Sequence, residues 1–177
     1  KSIFTVGSTR HNINNLNNNP IKQKKPDPKL YLLFICGLGY EMVHFAKLLV
    51  KNPDLAINYN IAIRRMFHSW KSEQDKAELM LKRHNISYKC ADGALLDEIN
   101  TADVILFEST SASFQASMMG KLIIQLNVSD VLNTNFFVNY REKKPILNCK
   151  TANELRANLK LINTLSKKNY EELLNKQ

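Results

Sequence analysis

Three stretches of this chain, LYLLFIC (30–36), DVILF (103–107) and KLIIQL (121–126), are apolar at nearly every position. Such runs suit strands covered on both faces, because a strand with one wet face would alternate. The segments between them have a different rhythm. Glu41 to Lys51 places Met42, Phe45, Ala46, Leu48 and Leu49 at the i, i+3, i+4 spacing of an amphipathic helix, which Asn52-Pro53-Asp54 stops. INYNIAI (57–63) reads as a strand, 70–84 as a helix with Ala77, Met80 and Leu81 on one face, ISYKC (86–90) as a short strand and 94–100 as a short helix. A helix over 113–119 follows the strand at 103–107, and a short apolar segment at 145–148 suits a last, edge element. Residues 151–163 and 167–175 read as helices, the first with Thr151 and Glu154 at capping-box spacing. Upstream, Ile3-Phe4-Thr5-Val6 reads as a short strand, and the Asn-, Lys- and Pro-rich segment 11–29 as a loop. Strands alternating with helices imply parallel βαβ units, hence an α/β fold with a doubly wound parallel sheet. Its ligands are expected at the carboxyl ends of the strands, where strand order reverses. The loops at 37–40, 64–69, 108–112 and 127–130 all lie at such ends.

The loop after 103–107 is the most unusual of these. Glu108 ends the apolar run, and Ser109, Thr110, Ser111 and Ser113 crowd together before the next helix. The first N–H groups of a helix lack internal partners and the local dipole is positive, so hydroxyls there suit an anion. Helix capping is the alternative, but it needs only one Ser or Thr. Gly37-Leu38-Gly39 also joins a strand to a helix, as a phosphate-cradling loop does. Met42 stands where a dinucleotide fingerprint has its third glycine, and Ala62 and Ile63 end the next strand where that fingerprint has an acid. A nicotinamide or flavin dinucleotide is therefore disfavoured, and the glycines equally suit a tight turn. Arg64-Arg65-Met66-Phe67-His68-Ser69 follows the strand at 57–63. Two arginines at a strand end can grip a phosphate through paired N–H bonds, and a histidine there can donate a hydrogen bond or move a proton. Ordinary loop charges are the plainer reading of each residue singly.

The remaining chemistry-bearing residues exclude more than they suggest. Cys36, Cys90 and Cys149 are far apart and odd in number, which argues against a disulfide framework or zinc site and fits a reducing, cytoplasmic setting. No His spacing matches a metal motif, and no G-x-S-x-G elbow surrounds Ser109 or Ser111. No metal and no cofactor are expected. His44 reads as a partly buried or solvated helix residue, His11 and His84 as surface residues and Trp70 as core. The net charge of +9 is dispersed, with one short cluster at Lys22, Lys24 and Lys25 among prolines. No helix carries a basic stripe with interleaved aromatics, so nucleic acid is not an expected partner. The charge equally suits phosphorylated substrates or peripheral contact with an anionic membrane at the inner face. No apolar run approaches the ~20 residues of a membrane helix. A length of 177 residues is that of one domain.

The block ADVILFESTSASFQASMMGKLIIQL (102–126) resembles the donor-binding segment of GT-B glycosyltransferases, especially the CDP-glycerol glycerophosphotransferase and polysialyltransferase-like branch. Ala102-Asp103 match its opening, Glu108 stands for an Asp, Thr110 and Ser111 for paired serines, and Gln115 for a Glu. Phe114, Ala116 and Gly120-Lys121 match outright. Val6-Gly7-Ser8-Thr9-Arg10 is similar to the G-x-P-R turn opening that family's C-terminal domain, and Arg64 to Ser69 occupy the place of its R-P-H-P element. The resemblance spans about residues 3–135. It implies one half of a GT-B fold: a single Rossmann-like nucleotide-sugar-binding domain over 1–177, with helices at 151–177. A chain that starts at Lys1 with a strand close behind is expected to be cut from a longer protein, its N-terminal acceptor domain lying elsewhere. By resemblance, Thr110 and Ser111, with Gly37, Gly39, Glu108 and Ser109 around them, would hold the donor. Gln115 would approach its ribose or sugar hydroxyls, and His68 with Arg64 or Arg65 would aid the leaving phosphate. The function implied is transfer of a sugar from a nucleotide diphosphate to a carbohydrate acceptor in cell-surface polysaccharide synthesis. A nucleotide-sugar epimerase of the same fold and a non-catalytic binding module are the alternatives.

Overall fold

The computed structural model describes residues 29–65, 71–127 and 147–164. The elements expected at 3–6, most of the 11–29 loop, the 127–130 loop beyond Asn127 and the helix at 167–175 lie outside these residues. Among the described residues the elements run in the order β1 (Tyr31–Ile35), α1 (Gly39–Lys51), α2 (Pro53–Asn58), β2 (Asn60–Arg64), α3 (Lys71–Arg83), β3 (Lys89–Cys90), α4 (Leu95–Thr101), β4 (Val104–Phe107), α5 (Ala112–Met118), β5 (Leu122–Leu126), β6 (Leu147–Cys149) and α6 (Ala152–Thr164). The strands form one sheet in the order β3-β2-β1-β4-β5-β6, and every neighbouring pair is parallel. The doubly wound sheet expected from the apolar runs is therefore present. The chain winds outward from β1 to β3, returns to place β4 on the other side of β1, and winds outward again. The reversal lies between β1 and β4.

The continuous apolar runs are explained by burial on both faces. Leu32, Phe34, Val104, Leu106, Leu122 and Ile124 meet α1, α3 and α6 on one face, while Leu33, Ile35, Ile105, Phe107 and Ile123 meet α4 and α5 on the other. Phe34 and Phe45 stack at 4.1 Å between ring centroids, which seats α1 on the middle of the sheet. Two boundaries differ from the sequence expectation. α1 stops after Lys51, as expected, but Pro53 then opens a further short helix, α2, because proline's missing N–H is harmless in a first turn. This helix takes Ile57 and Asn58 from the expected strand and leaves β2 to start at Asn60. The strand expected over 86–90 shrinks to Lys89–Cys90, because it sits at the sheet edge with β2 as its one partner.

Side-chain bonds to backbone fix the ends of the elements. Asp103 Oδ2 accepts the Tyr31 N–H at 2.7 Å, locking the start of β1 to β4. Thr151 Oγ1 accepts the Glu154 N–H, and the Glu154 carboxylate reaches back to the Lys150 N–H, one residue before the expected capping-box position. Arg156 on α6 spans Asp54 and Asn52 at the start of α2, and this guanidinium holds the Asp54 carboxyl below the usual carboxylate range. α5 ends in a paired turn in which the Gly120 N–H reaches Ser117 O and the Lys121 N–H reaches Ala116 O. Gly120 sits there at φ +70°. Lys121 is buried, and its ammonium donates to Asn100 O and Ala102 O, capping the carboxyl end of α4. No helix among the described residues is long and apolar enough to cross a membrane.

A Cβ at Gly120 would meet nothing within 4 Å, so a substitution there costs backbone conformation alone. Gly120→Ala is expected to lower the free energy of unfolding by about 1–2 kcal/mol, and Gly120→Asn by less, as read from urea denaturation.

Candidate functional site

The loops after β1 and β4 meet at the sheet's reversal point, and they touch. A Cβ on Gly37 would lie 2.6 Å from Ser109 O and 3.3 Å from Thr110 Cα. Glycine is therefore required at 37 by the approach of another backbone, the third use of a glycine beside phosphate cradling and turn formation. Beneath this contact lies Glu41, fully buried in the first turn of α1. Its Oε2 accepts the Gly37 N–H at 2.7 Å, and its Oε1 accepts the Ser109 hydroxyl. The N–H groups of Leu38 and Ser109 also bond to the carboxylate. Burial raises the Glu41 pKa above the ordinary carboxylate value, and these hydrogen bonds pull it partly back. A folded state that holds a proton more tightly than the unfolded chain loses stability as pH rises through the raised pKa. One carboxylate thus ties the two loops together from below.

Above the contact lies a cavity of about 340 Å³, lined by Ile35, Cys36, Gly37, Arg64, Arg65, Leu95 and the segment Ser109 to Ala112. The four hydroxyls of the sequence cluster have separate duties. Ser109 points back to Glu41. Thr110 Oγ1 accepts the Ala112 N–H at 3.3 Å, so the capping alternative describes this residue. Ser113 is buried and donates to Thr110 O. Ser111 is exposed at the N-cap of α5 with no cap bond of its own, and it lines the cavity.

The two arginines also separate. Arg64 ends β2 and donates from one guanidinium nitrogen to Gly93 O at 2.7 Å and Ala91 O at 3.3 Å. These carbonyls hold the side chain in place without neutralising it, and no carboxylate among the described residues pairs with it. Arg65 is shared between Glu78 at 3.0 Å and Asp92 at 3.3 Å. Both line the cavity, but of the two only Arg65 shares its charge with carboxylates among the described residues. Gly39 starts α1 and is buried there, and unlike Gly37 it does not line the cavity. Gln115 lies on α5 away from the cavity lining. His68 lies outside the described residues, as do Met66, Phe67, Ser69 and Trp70.

Glu108 is buried just before this segment, on the α1 side of the sheet, and its Oε2 lies 3.5 Å from His44 Nδ1. Burial lowers the His44 pKa, and nearby Lys47 lowers it further. The imidazole is thus neutral near neutral pH, with 24% of its side chain exposed. The sequence reading of His44 as partly buried is met, but its carboxylate neighbour was not foreseen. Glu41 was also missed as an organising residue. Its signal was the offset of three from Leu38, the spacing of a capping-box glutamate, hidden because Leu38 is not a capping residue. Among the described residues, no group of three or more His, Cys, Asp or Glu side chains is placed to hold a metal ion.

No protein-family model matches this chain, and no curated protein matches it by sequence. Solved structures do. A UDP-GlcNAc 2-epimerase from Neisseria meningitidis, bound to UDP-GlcNAc, aligns with a TM-score of 0.55 at 12% identity, over 85% of this chain and 40% of its own. The catalytic domain of starch synthase IV from Arabidopsis thaliana, bound to ADP and acarbose, aligns with a TM-score of 0.55 at 11% identity, over 87% of this chain and 35% of its own. This chain therefore spans less than half the length of either. At these identities the likeness is one of fold, and it is to one half of GT-B proteins.

The loop contact can be probed with two glycines. Gly37→Ala drives a methyl into the Ser109 carbonyl and is expected to cost about 1–3 kcal/mol of stability. Gly93→Ala meets only the movable Glu98 carboxylate, at 2.9 Å, and is expected to cost less. Urea unfolding of the two variants side by side distinguishes them.

Proposed function

We propose that this chain is the donor-binding half of a GT-B glycosyltransferase, and that the cavity between the β1 and β4 loops receives the diphosphate of a nucleotide sugar. The observation that carries this reading is Arg64. A guanidinium aimed by two backbone carbonyls, with no carboxylate partner among the described residues, stands in the crevice where doubly wound sheets bind ligands. Ser111 and Thr110 border the same cavity. In this reading Arg64, together with Arg65 and His68, stabilises charge on the leaving diphosphate, which favours the transition state over the ground state. The acceptor is a carbohydrate, held by a second domain, and the setting is cell-surface polysaccharide synthesis in the manner of the CDP-glycerol and polysialyltransferase-like branch. The two solved neighbours, bound to UDP-GlcNAc and to ADP, support a nucleotide-containing ligand.

A second reading, nucleotide-sugar epimerisation, has one observation in its favour. The neutral His44 beside the Glu108 carboxylate is an acid–base pair of the kind proton abstraction needs. Solvent deuterium appearing in a recovered nucleotide sugar would mark that activity, and its absence with sugar transfer intact would set it aside.

Calorimetric titration of this chain with UDP, CDP, GDP and ADP is expected to show saturable binding of one of them. Arg64→Ala is expected to weaken it by about 10- to 100-fold, the loss of a hydrogen bond to a charged group. Arg65→Ala, whose charge is already shared with Glu78 and Asp92, is expected to weaken it less. Equal affinity of wild type and Arg64→Ala would remove the diphosphate from this cavity. Membrane contact has its own check: flotation with anionic vesicles is expected to carry the protein upward at low salt and release it at high salt.

A further inference from the structure

The hydrogen-bond inventory beneath the cavity contains a conflict. Ser109 borders the cavity, but its single hydroxyl hydrogen is given to Glu41. A hydroxyl has one donor and can accept as well. While Glu41 is ionised it can only accept, so Ser109 must donate downward and presents lone pairs to anything in the cavity. An anionic ligand would meet an acceptor there, with a buried negative charge just behind it. Both problems disappear if Glu41 carries a proton. The carboxylic acid then donates to Ser109 Oγ, and the Ser109 hydrogen turns up into the cavity.

We propose that the cavity takes up its anionic ligand together with one proton on Glu41, so that Glu41 is a positioning residue that decides whether Ser109 donates toward the ligand or away from it. This rests on the reading of the cavity as a diphosphate site. The balance is simple: one proton enters from solvent and adds to Glu41 Oε1, no bond to carbon changes, and no proton leaves.

The surroundings favour such a proton. Glu41 is fully buried, and no cation among the described residues pairs with it. The Cys36 thiol from the end of β1 and the Tyr40 phenol from α1 lie within the field of Glu41 and also of Glu108 at the end of β4; Arg64 and Arg65 border the cavity from the end of β2. Burial pushes the Cys36 and Tyr40 pKa values up, and the charges of Glu41 and Glu108 push them further. Both groups are therefore neutral and supply no counter-charge. His44, beside Glu108, is held neutral by burial. Burial likewise raises the Glu41 pKa. A ligand that adds negative charge above this site raises it further, which is the linkage between ligand and proton.

The test is calorimetric titration with UDP-N-acetylglucosamine and ADP-glucose, whose esterified diphosphates keep a constant charge from mildly acidic to mildly alkaline pH. Running each titration in two buffers of different ionisation enthalpy counts the protons taken up. For wild type the expected result is uptake of about one proton per ligand on the alkaline side of the Glu41 pKa, with affinity falling about tenfold per pH unit there. In Glu41→Gln the amide donates permanently to Ser109, so binding is expected to be tight, independent of pH and without proton uptake. In Ser109→Ala the pH dependence is expected to shrink sharply. Should Glu41→Gln not fold, as judged by circular dichroism, a carboxylic-acid infrared band appearing in wild type on ligand addition and absent in Ser109→Ala carries the same information. Binding that depends on Arg64 but takes up no proton would overturn the coupling and leave the diphosphate site standing. Uptake that persists in Glu41→Gln would likewise overturn it. No binding of either nucleotide sugar to wild type or Glu41→Gln at any pH would overturn the coupling, while Arg64-dependent binding of any of the four nucleoside diphosphates would leave the diphosphate site standing.

Discussion

A buried carboxylate that must serve two loops at once sets the terms for the rest of this structure. Glu41 stands under the place where the sheet's winding direction reverses, and it satisfies donors from both sides of that reversal. A charge in this position cannot be solvated by water, so its hydrogen bonds must be complete or its proton must return. That demand fixes the spacing of the β1 and β4 loops more tightly than apolar packing would, because hydrogen bonds weaken steeply with distance and angle. Gly37 follows from it: once the loops are drawn together, no side chain fits between them. The cavity above is the space left where Arg64 arrives from β2 on its own terms, held by the carbonyls of the loop leading to α4.

The same logic accounts for several residues that carry the family resemblance. Asp103 is bonded to the first N–H of β1, Gly120 provides the positive φ that ends α5, and Lys121 caps α4. Gln125 reaches from β5 to the carbonyl of Glu108, anchoring the backbone just before the hydroxyl segment. These are scaffold duties, each assigned by an unsatisfied backbone group. A signature of this kind can persist because it preserves the shape of a loop, whatever the loop then binds.

The sheet was legible in the sequence for a physical reason. Strands buried on both faces leave continuous apolar runs, and LYLLFIC, DVILF and KLIIQL became β1, β4 and β5 within a residue or two. The edge was less legible, since β3 pairs on one side only and leaves a short, mixed pattern. α2 was less legible because Asn52-Pro53-Asp54 both stops α1 and opens a new helix, and six residues are too few to show a helical period. At the site, the strand-end loops pointed to the right neighbourhood, bringing Gly37, Arg64, Arg65, Ser109, Thr110 and Ser111 around one cavity. Periodicity could not distinguish the two arginines, because their difference lies in Glu78 and Asp92, partners 13 and 27 residues downstream of Arg65. Nor could it find Glu41, which sits on the apolar face of its helix by virtue of bonds made to a segment 68 residues away.

The lock between Asp103 and Tyr31 joins residues 72 positions apart, and it has a meaning in time as well as in space. β1 is the central strand, apolar on both faces, with β2 on one side and β4 on the other. A growing chain makes β1, β2 and β3 first. Until β4 emerges, β1 is an open edge with unpaired backbone groups and uncovered isoleucine, leucine and phenylalanine side chains, the kind of edge that recruits a second chain. The interval ends only when some seventy residues have been closed into a loop, a slow step for any parallel sheet. The hazard to a nascent copy of this protein is therefore concentrated in the wait for β4.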